Sequence, residues 1–525
     1  MTRLPPQDTF ANAPHPEWDE QAAAACADEL SLRALTSRWI GGDPTLALYG
    51  GGNTSVKAPW TAAGASAPIA LFVKGSGADL AEVTPRDFTP VALDGALALL
   101  GGCDLDNDAL MRAIGPLKLD PASPRPSIET LMHACLPHRY VEHTHADSIL
   151  AVINTEGGEA SAAKLFGRRA PLVPFRHSGF DLAMACADVY RRRSTPESIG
   201  LLLAFHGVVA FGESARQSYG NLFELVRCAE RHLQDNGAWD LPRAAPPERS
   251  WEGALRLARL RADLSVASGF PMVLTVDDSP EAVAFCRRGD ARVLARIGPP
   301  TPQHAVFTKR FPALGTDVAG YAAEYRQYAA EHGGEFPEDR IPDPAPRILL
   351  DPSVGMIAAS VNARHARMTA NVYRHDIEIS SRADALDRYV SLPADAILAA
   401  EVHYGGFDRA LLRRRADDLP LLGCVVALVG QPRPDIAEAL ARSGADVLST
   451  MAADERLALD AAYSHGGLDV CVTMDVGAGP GGRTESLLAC SPSGGRVVPL
   501  APATRAPDLQ DTLARDWRAV TGIAP

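Results

Sequence analysis

Residues 126–152 read PSIETLMHACLPHRYVEHTHADSILAV. The spacing of apolar residues over 127–136 predicts a helix, the short run at 140–144 predicts a strand, and a second helix is expected at 146–153. Working outward, the same patterns predict further helices at about 18–40, 180–193 and 214–234, and further strands at 46–49, 68–73 and 172–175. This alternation is typical of a mixed α/β domain.

The predicted strand leads into His143-Thr144-His145. Side chains two residues apart on a strand point to the same face, so these two imidazoles are preset to bind one metal ion. On a helix they would diverge. The pattern alone is weak, because two histidines at this spacing occur by chance in many chains.

A third histidine interrupts the apolar run SIGLLLAFHGVVAFG at 198–212, which we interpret as a buried strand. A buried imidazole needs a hydrogen bond or a metal ion, and a satisfied core histidine is the commoner case. In combination, His143, His145 and His206 could ligate one metal at about 2.0–2.1 Å with a position left open, as in catalytic zinc sites.

Glu129 lies on the helix predicted to begin at Ser127. A carboxylate near a metal can act as a ligand or as a proton carrier, and a proton carrier works best with a pKa raised by burial. The alternative is an exposed glutamate in the first helical turn that complements the helix dipole.

Two polar turns follow the predicted strands at 46–49 and 68–73, namely GGGNTS at 50–55 and KGSG at 74–77. Such turns present N–H and hydroxyl groups to an anion, and two ordinary turns are the alternative. Lys57 and Lys74 add local positive charge. The candidates for holding a phosphate or carboxylate are Asn53, Thr54, Gly75, Ser76, Gly77 and Ser127.

Composition excludes several classes of partner. The chain has 525 residues with a net charge of -13, so we expect neither nucleic acid nor anionic membrane surfaces as partners. No apolar run approaches the roughly 18 residues of a membrane span, and the polar N-terminus lacks a secretory signal. Nine scattered cysteines without a CxxC pair predict a reducing, cytoplasmic location.

Five ordered segments, GGGNTSVK, FVKGSGADL, PSIETLMH, VEHTHADSILAV and LLAFHGVVAFG, resemble the class II aldolase/adducin family over about residues 30–235. The whole chain resembles the long branch of that family, in which an aldolase related to rhamnulose-phosphate aldolase precedes a short-chain-dehydrogenase module. The resemblance implies a class II aldolase-like metal domain at 18–242, an associated middle α/β region at 251–415, and a short, degenerate Rossmann-like domain at 418–525.

The resemblance also implies roles for the candidate residues. His143, His145 and His206 would bind zinc or another divalent metal such as manganese, and Glu129 would be the general acid/base. Asn53, Gly75, Ser76 and Ser127 would form the phosphate site. One position departs from the pattern, because fuculose-phosphate aldolases have two serines before the glutamate and this chain has Ser127-Ile128.

The implied reaction is cleavage or formation of a carbon–carbon bond in a ketose 1-phosphate through a metal-stabilised enediolate, in a homo-oligomer. A family epimerase with the same metal chemistry, a non-catalytic scaffold and an NAD-dependent dehydrogenase are the alternatives. A class I aldolase would need a reactive lysine for a Schiff base. The chain has only five lysines, Lys57, Lys74, Lys118, Lys164 and Lys309.

A short repeat is possible between GVVAFGESAR at 207–216 and GMIAASVNAR at 355–364. Val354 occupies the position of His206 in the second copy. Chance explains a match of this length equally well.

The segment from 418 has a βαβ rhythm that predicts a parallel sheet, with GAGPGG at 477–482 as a loop. Its first turn, GQPRPD at 430–435, has prolines and an aspartate where dinucleotide binding needs glycines. No lysine follows Lys309, and Gly467 stands four residues after Tyr463 in place of the catalytic lysine of that family. We therefore predict no functional NAD site and a role in packing or assembly.

The absence of an NAD site is testable on the purified chain. We expect calorimetric titration with NAD to show no saturable binding, because the 430–435 turn lacks the backbone donors that a pyrophosphate needs. Saturable binding that is lost on substituting Gly430 would contradict this prediction.

Overall fold

The computed structural model describes residues 15–60, 68–102, 105–334, 336–405, 411–412, 418–451, 455–473, 488–489, 491, 495–499 and 504–521. The chain forms two compact units, residues 1–241 with 378–391, and residues 242–377 with 392–525. Several sheets with flanking helices confirm the predicted mixed α/β fold. The division into three domains stays a prediction.

The first unit is built on a seven-stranded sheet in the order β3-β2-β1-β4-β7-β6-β5. All neighbouring strands are antiparallel except the parallel pair β5 and β6. The strands are β1 (Asn53–Pro59), β2 (Ile69–Lys74), β3 (Phe88–Ala92), β4 (Tyr140–Thr144), β5 (Leu172–Val173), β6 (Gly200–Leu203) and β7 (Gly207–Gly212).

Helices cover both faces of this sheet. Apolar side chains of α6 and α9 pack on one face, and those of α5 and α8 pack on the other. The helices are α1 (Glu20–Ala24), α2 (Glu29–Gly41), α3 (Leu93–Leu100), α4 (Asn107–Ile114), α5 (Thr130–Cys135), α6 (Asp147–Ile153), α7 (Gly158–Leu165), α8 (Phe180–Arg193) and α9 (Ala215–Asp235). Short 3-10 turns lie at Pro85–Asp87 and Gly115–Leu117.

Strand β4 lies at the centre of the sheet, paired with β1 and β7. Its His143 is opposite Asn53 of β1 and opposite Val209 of β7. The strand is buried along its whole length, so the register is fixed by the apolar layers on its two faces. The predicted strand at 140–144 and the predicted helices at 180–193 and 214–234 are therefore confirmed, the last with its end at Asp235.

Five local predictions are wrong. The single helix expected at about 18–40 is two helices, α1 and α2, with a break at residues 25–28. The helix expected from Ser127 begins at Thr130, so Glu129 precedes it. Residues 46–49 form turns and no strand, because the real strand starts later, at Asn53. Asn53 and Thr54 therefore lie in β1 and outside the glycine turn. His206 lies in the turn between β6 and β7, because the apolar run at 198–212 folds into a hairpin.

The second unit contains two four-stranded sheets, in the orders β8-β11-β10-β9 and β13-β12-β14-β15. Their strands are β8 (Val273–Asp277), β9 (Ala313–Leu314), β10 (Ile348–Asp351), β11 (Gly355–Ser360), β12 (Val425–Val429), β13 (Asp446–Thr450), β14 (Val470–Thr473) and β15 (Arg496–Pro499).

The remaining helices follow along the chain, and residues 378–391 belong to the first unit. A 3-10 turn lies at Glu338–Arg340. The helices are α10 (Trp251–Ser268), α11 (Pro280–Arg287), α12 (Ala291–Leu294), α13 (Pro302–Thr308), α14 (Val318–His332), α15 (Ala363–Leu386), α16 (Ala394–Tyr404), α17 (Pro434–Arg442), α18 (Glu455–His465) and α19 (Ala506–Thr521). Among the described residues, no helix is long and apolar enough to cross a membrane.

The short repeat between 207–216 and 355–364 extends to a whole sheet. The order β8-β11-β10-β9 reproduces β4-β7-β6-β5, with the same antiparallel and parallel pairs and a long helix after the last strand. In both copies a glycine with positive φ opens the hairpin's second strand, Gly207 at +152° and Gly355 at +115°. A Cβ at these glycines would lie 2.1 Å from the Thr144 carbonyl oxygen and 2.6 Å from that of Asp277.

This correspondence shows what the second copy lacks. Thr144 pairs with the residue after Gly207, and Asp277 pairs with the residue after Gly355. The positions of His143, His145 and His206 are therefore occupied by Val276, Asp278 and Val354. The second copy has the fold of the histidine-bearing half without its imidazoles.

The third sheet is parallel throughout, as predicted from the βαβ rhythm. The turn after β12 leads into α17, where the Arg433 guanidinium pairs with the Asp435 carboxylate at 2.7 Å. Gly430 in this turn has a φ of +111°. The predicted loop at 477–482 lies outside the described residues.

His15 ties the start of the described chain to the first unit. Its Nδ1 lies 2.5 Å from Asp43 and its Nε2 lies 2.7 Å from Glu230 of α9. Burial alone would lower the pKa of His15, but the hydrogen bonds and charges of Asp43 and Glu230 outweigh it and raise the pKa from 6.5 to about 9.

This raised pKa predicts a pH-dependent contribution to stability. The stabilisation by protonated His15 is fully present below pH 6.5 and is lost as the pH rises through about 9. We expect His15→Gln to lower the free energy of unfolding by roughly 1–2 kcal/mol at pH 6, allowing for solvent screening, and by little at pH 10. Urea denaturation at both pH values measures this, with His332→Gln as the control. A His15→Gln effect independent of pH would contradict it.

Candidate metal centre

Three histidines converge at the end of β4. His143 lies in β4, His145 follows it by two residues, and His206 lies in the turn between β6 and β7. All three side chains are buried, and their possible ligand atoms lie within 4.8 Å of one another. The ring centroids are 4.9 to 5.0 Å apart. The structure thus brings together the three histidines that the sequence analysis singled out.

His143 is held in the form that binds a cation. Its Nδ1 donates to the Val208 carbonyl oxygen at 3.0 Å, which leaves the Nε2 lone pair facing His206 Nε2 at 3.3 Å. Burial lowers the pKa of His143 to about 4, so the imidazole is neutral at neutral pH. A neutral imidazole whose other nitrogen donates to a carbonyl is the usual state of a histidine metal ligand.

A strained hairpin turn places His206. The backbone of Phe205 has a φ of +56°, in the left-handed region that bulky residues rarely adopt. The His206 N–H donates to the Leu203 carbonyl oxygen at 3.1 Å, which closes the turn. Strain of this kind persists where the surrounding structure holds it, and it is commonest at functional sites.

Glu129 is buried beside two of the three histidines. Its Oε1 lies 3.1 Å from His206 Nε2, and its Oε2 lies 3.6 Å from His143 Nε2. Asn53 Nδ2 donates to Oε2 at 2.6 Å, and Ser178 Oγ donates to Oε1 at 3.3 Å. This geometry rules out the alternative of an exposed glutamate on a first helical turn.

The carboxylate of Glu129 is ionised. Burial would raise its pKa, but the nearby imidazoles of His143 and His206 outweigh burial and hold the pKa well below its usual range. The expectation of a base with a raised pKa is therefore wrong for this form of the site. The reason is that burial is accompanied by converging hydrogen-bond donors and imidazoles.

The donor set fits a divalent metal ion. Nε2 of His143 and Nε2 of His206 face each other at 3.3 Å, and the carboxylate of Glu129 adjoins both. Among the described residues, the buried Nδ1 of His206 has no hydrogen-bond partner. Nitrogen and oxygen donors arranged in this way suit zinc and similar divalent cations.

Part of the predicted anion site adjoins Glu129. Asn53 Nδ2 also donates to Ser127 Oγ at 3.2 Å, so Asn53, Ser127 and Glu129 form one buried group. Gly75 pairs with Pro126, which places the turn at 75–77 next to Ser127. The N–H groups of Gly75 and Ser76 already donate to carbonyl oxygens. Ser76 and Gly77 are exposed and present a hydroxyl and an amide to solvent.

The other candidates lie elsewhere. Thr54 is on the opposite face of β1, fully buried, with its hydroxyl 2.8 Å from Ser37 Oγ. Lys57 Nζ donates to three carbonyl oxygens at and beyond the end of α5. Lys74 Nζ donates to the carbonyl oxygens of Gly50 and Ala78, so it joins the two glycine turns. Burial lowers the pKa of both lysines to about 8.

Two further residues, which are not among the candidates predicted from the sequence, contact the site. His133 hydrogen-bonds to Asn53, and Ser178 hydrogen-bonds to Glu129. The spacing of four residues from Glu129 to His133 was a usable signal, since residues four apart share a helix face. Ser178 lies between β5 and α8, and no local pattern singles it out.

Comparison with known protein families identifies the chain. The class II aldolase and adducin N-terminal domain model matches residues 33–233, and the model for the second domain of class II aldolases matches residues 252–410. Together these matches cover more than half of the chain. The chain therefore belongs to the class II aldolase/adducin family.

Individual relatives are more distant. An uncharacterized oxidoreductase of Bacillus subtilis, YuxG, is 28% identical over 397 residues, which span 71% of this chain and 57% of that protein. The N-terminal class II aldolase domain of a Thermoplasma acidophilum protein is 32% identical, covering 39% of this chain and 93% of that one, with a TM-score of 0.37. An L-fuculose-1-phosphate aldolase of Thermus thermophilus is 18% identical over 39% of this chain and 95% of that one, with a TM-score of 0.26.

The histidine cluster predicts metal content. We expect the purified chain to hold about one equivalent of a divalent metal, lost in His143→Ala/His145→Ala, because two of three ligands are then gone. Plasma mass spectrometry measures this. The matched control is His232→Ala/His332→Ala, which removes two histidines outside the cluster. A wild-type protein that takes up no metal from excess zinc would refute the prediction.

Proposed function

We propose that this chain is a divalent-metal-dependent aldolase that cleaves or forms a carbon–carbon bond in a sugar phosphate of the ketose 1-phosphate type. The observation that carries the proposal is the buried Glu129 carboxylate, whose oxygens lie 3.1 Å from His206 Nε2 and 3.6 Å from His143 Nε2. Proton transfer at a carbon next to a carbonyl needs a fixed base beside an electrophile, and this arrangement supplies the base.

In this proposal His143, His145 and His206 hold the metal, with zinc or manganese as the first candidates. A divalent metal, when bound, stabilises negative charge that develops on a substrate oxygen as the bond breaks. Glu129 accepts the proton from the substrate carbon, or returns it, through a carboxylate oxygen. Asn53 and Ser178 hold that carboxylate by hydrogen bonds, which fixes the distance between base and substrate.

The phosphate is assigned to the surface beside this group. Ser127, Ser76 and Gly77 lie on or next to the buried cluster and offer hydroxyl and amide donors, and Asn53, whose NH2 group donates to Ser127 and Glu129, holds Ser127 in place. Ile128 stands where fuculose-phosphate aldolases have a second serine, and its partly buried side chain packs against the apolar core. We therefore expect weaker phosphate recognition than two serines would give.

The lysines do not favour a Schiff-base mechanism. Lys57, Lys74 and Lys309 are the buried or half-buried ones with hydrogen bonds to carbonyl oxygens, and Lys118 Nζ donates to two carbonyls as well. An amine that must attack a carbonyl needs a free lone pair facing a substrate cavity. This supports a metal mechanism over a class I aldolase.

Other functions remain as alternatives with specific tests. A family epimerase would invert a carbon of the sugar phosphate without net cleavage. A non-catalytic scaffold would bind no metal. An NAD-dependent dehydrogenase is less favoured, because Pro432 and Pro434 flank the turn into α17 and remove N–H donors there. Homo-oligomeric assembly is also part of the proposal, and mass photometry of the purified chain would check it.

The role of Glu129 is tested by Glu129→Gln. In the metal-loaded wild type, a hydrogen on the carbon next to the carbonyl of dihydroxyacetone phosphate should exchange with deuterium from the solvent, and NMR measures this exchange. The wild type should also cleave a ketose 1-phosphate such as L-fuculose 1-phosphate. We expect Glu129→Gln to lower the rates of exchange and of cleavage at least about 100-fold, because an amide cannot accept the proton. The variant should keep its metal.

The control is Glu197→Gln, an exposed glutamate in the segment before β6, which should leave both activities unchanged. Exchange that persists in Glu129→Gln, or in wild type stripped of metal by a chelator, would show that the proposed mechanism is wrong. Inversion of the sugar without cleavage would favour the epimerase.

A further inference from the structure

A chain of four buried polar side chains ends on the Glu129 carboxylate. Ser55 Oγ lies 2.8 Å from His133 Nδ1, His133 Nε2 hydrogen-bonds to Asn53 Oδ1, and Asn53 Nδ2 donates to Glu129 Oε2 at 2.6 Å. Ser55 and His133 are fully buried, and Asn53 and Glu129 are 4% and 6% exposed. The chain therefore runs from the sheet and α5 to the Glu129 carboxylate through the protein interior.

The direction of every hydrogen bond in this chain follows from the geometry at Asn53. The Asn53 NH2 group donates to Glu129 Oε2 and to Ser127 Oγ. The Asn53 carbonyl oxygen then faces His133, which must donate from Nε2. Its Nδ1 is then an acceptor, and the Ser55 hydroxyl must be the donor.

We propose that His133 is a positioning residue that fixes the orientation of the Asn53 amide and, through it, the Glu129 carboxylate. This inference rests on the proposed function for its catalytic meaning. If Asn53 were free to rotate its amide by half a turn, its carbonyl oxygen would face Oε2 and repel it. In that orientation the Asn53 NH2 group would also face the His133 N–H, so two donors would meet at the other end of the amide. The His133 N–H therefore disfavours the rotated amide.

The surroundings of His133 support a neutral imidazole with one donor and one acceptor. Burial outweighs the opposing charge of Glu129 and holds the pKa of His133 well below its usual range, and the nearby charges of Lys57 and Arg33 act in the same direction as burial. Lys57 Nζ donates to the His133 carbonyl oxygen at 2.9 Å, which anchors the backbone of α5 beneath the ring. A space-filling residue at this position would need neither nitrogen.

A set of substitutions separates positioning from packing. His133→Leu removes both nitrogens at similar volume, and His133→Gln keeps an N–H donor near the Nε2 position. With dihydroxyacetone phosphate as the probe, we expect His133→Leu to keep its metal and its KM within about threefold while kcat for hydrogen exchange falls by about tenfold or more. His133→Gln should recover most of that loss.

The double variant tests whether His133 acts through Asn53. If it does, adding His133→Leu to Asn53→Ala causes no further loss of kcat, because the group that His133 orients is already gone. Losses that multiply independently, or a His133→Leu variant with wild-type kcat, would overturn the proposal.

A measurement on the wild-type protein tests the hydrogen-bond direction independently of activity. In the metal-free chain with 15N-labelled histidine, the His133 signal, assigned by its absence in His133→Gln, should show a proton on Nε2 and none on Nδ1. A proton on Nδ1 or on both nitrogens would overturn the inference. This NMR measurement remains informative if His133→Leu fails to fold. It also remains informative if the wild type shows no hydrogen exchange, because that result refutes the proposed function and leaves the orientation of the His133 hydrogen bonds to be tested.

Discussion

The pairing of β4 with β1 on one side and with β7 on the other is the constraint on which the candidate site depends. That register sets His143 beside Asn53 and beside the strand that follows His206. Gly207 permits it, since any side chain there would collide with the Thr144 carbonyl oxygen. Because β4 is buried on both faces, a shift of its pairing register by one residue would turn His143 and its neighbours to the opposite face of the sheet.

Given that register, the electrostatics of the site follow from burial. Burial makes the imidazole of His143 neutral, which is the state that a metal ion requires, and it would do the same to an isolated carboxylate. Glu129 stays ionised because imidazoles and the donors of Asn53 and Ser178 surround it. An ionised carboxylate and the neutral imidazole of His143 thus lie within one small, buried cluster.

The second unit shows that the histidine cluster does not follow from the fold itself. Its sheet β8-β11-β10-β9 repeats the topology of the histidine-bearing half, and it keeps the glycine that opens the hairpin. Valine and aspartate replace the imidazoles there. The architecture is therefore shared by both copies, whereas the chemistry lies in three side chains and in β1, which supplies Asn53 to the first copy alone.

The sequence by itself determined the mixed α/β class, the strand at 140–144, the helices at 180–193 and about 214–234, the histidine cluster and the family, because these depend on local periodicity and on short ordered motifs. It placed Thr54 and Lys57 at the anion site and His206 inside a strand, since neither the face of a strand nor a strained turn at Phe205 is visible in residue types. Only the tertiary structure decided that His133 and Ser178 contact the site, that Glu129 precedes its helix, and that the second copy lacks the cluster. The physical reason is that hydrogen-bond partners from β1, α5 and the loop before α8 are distant in sequence and meet only when the sheet is assembled.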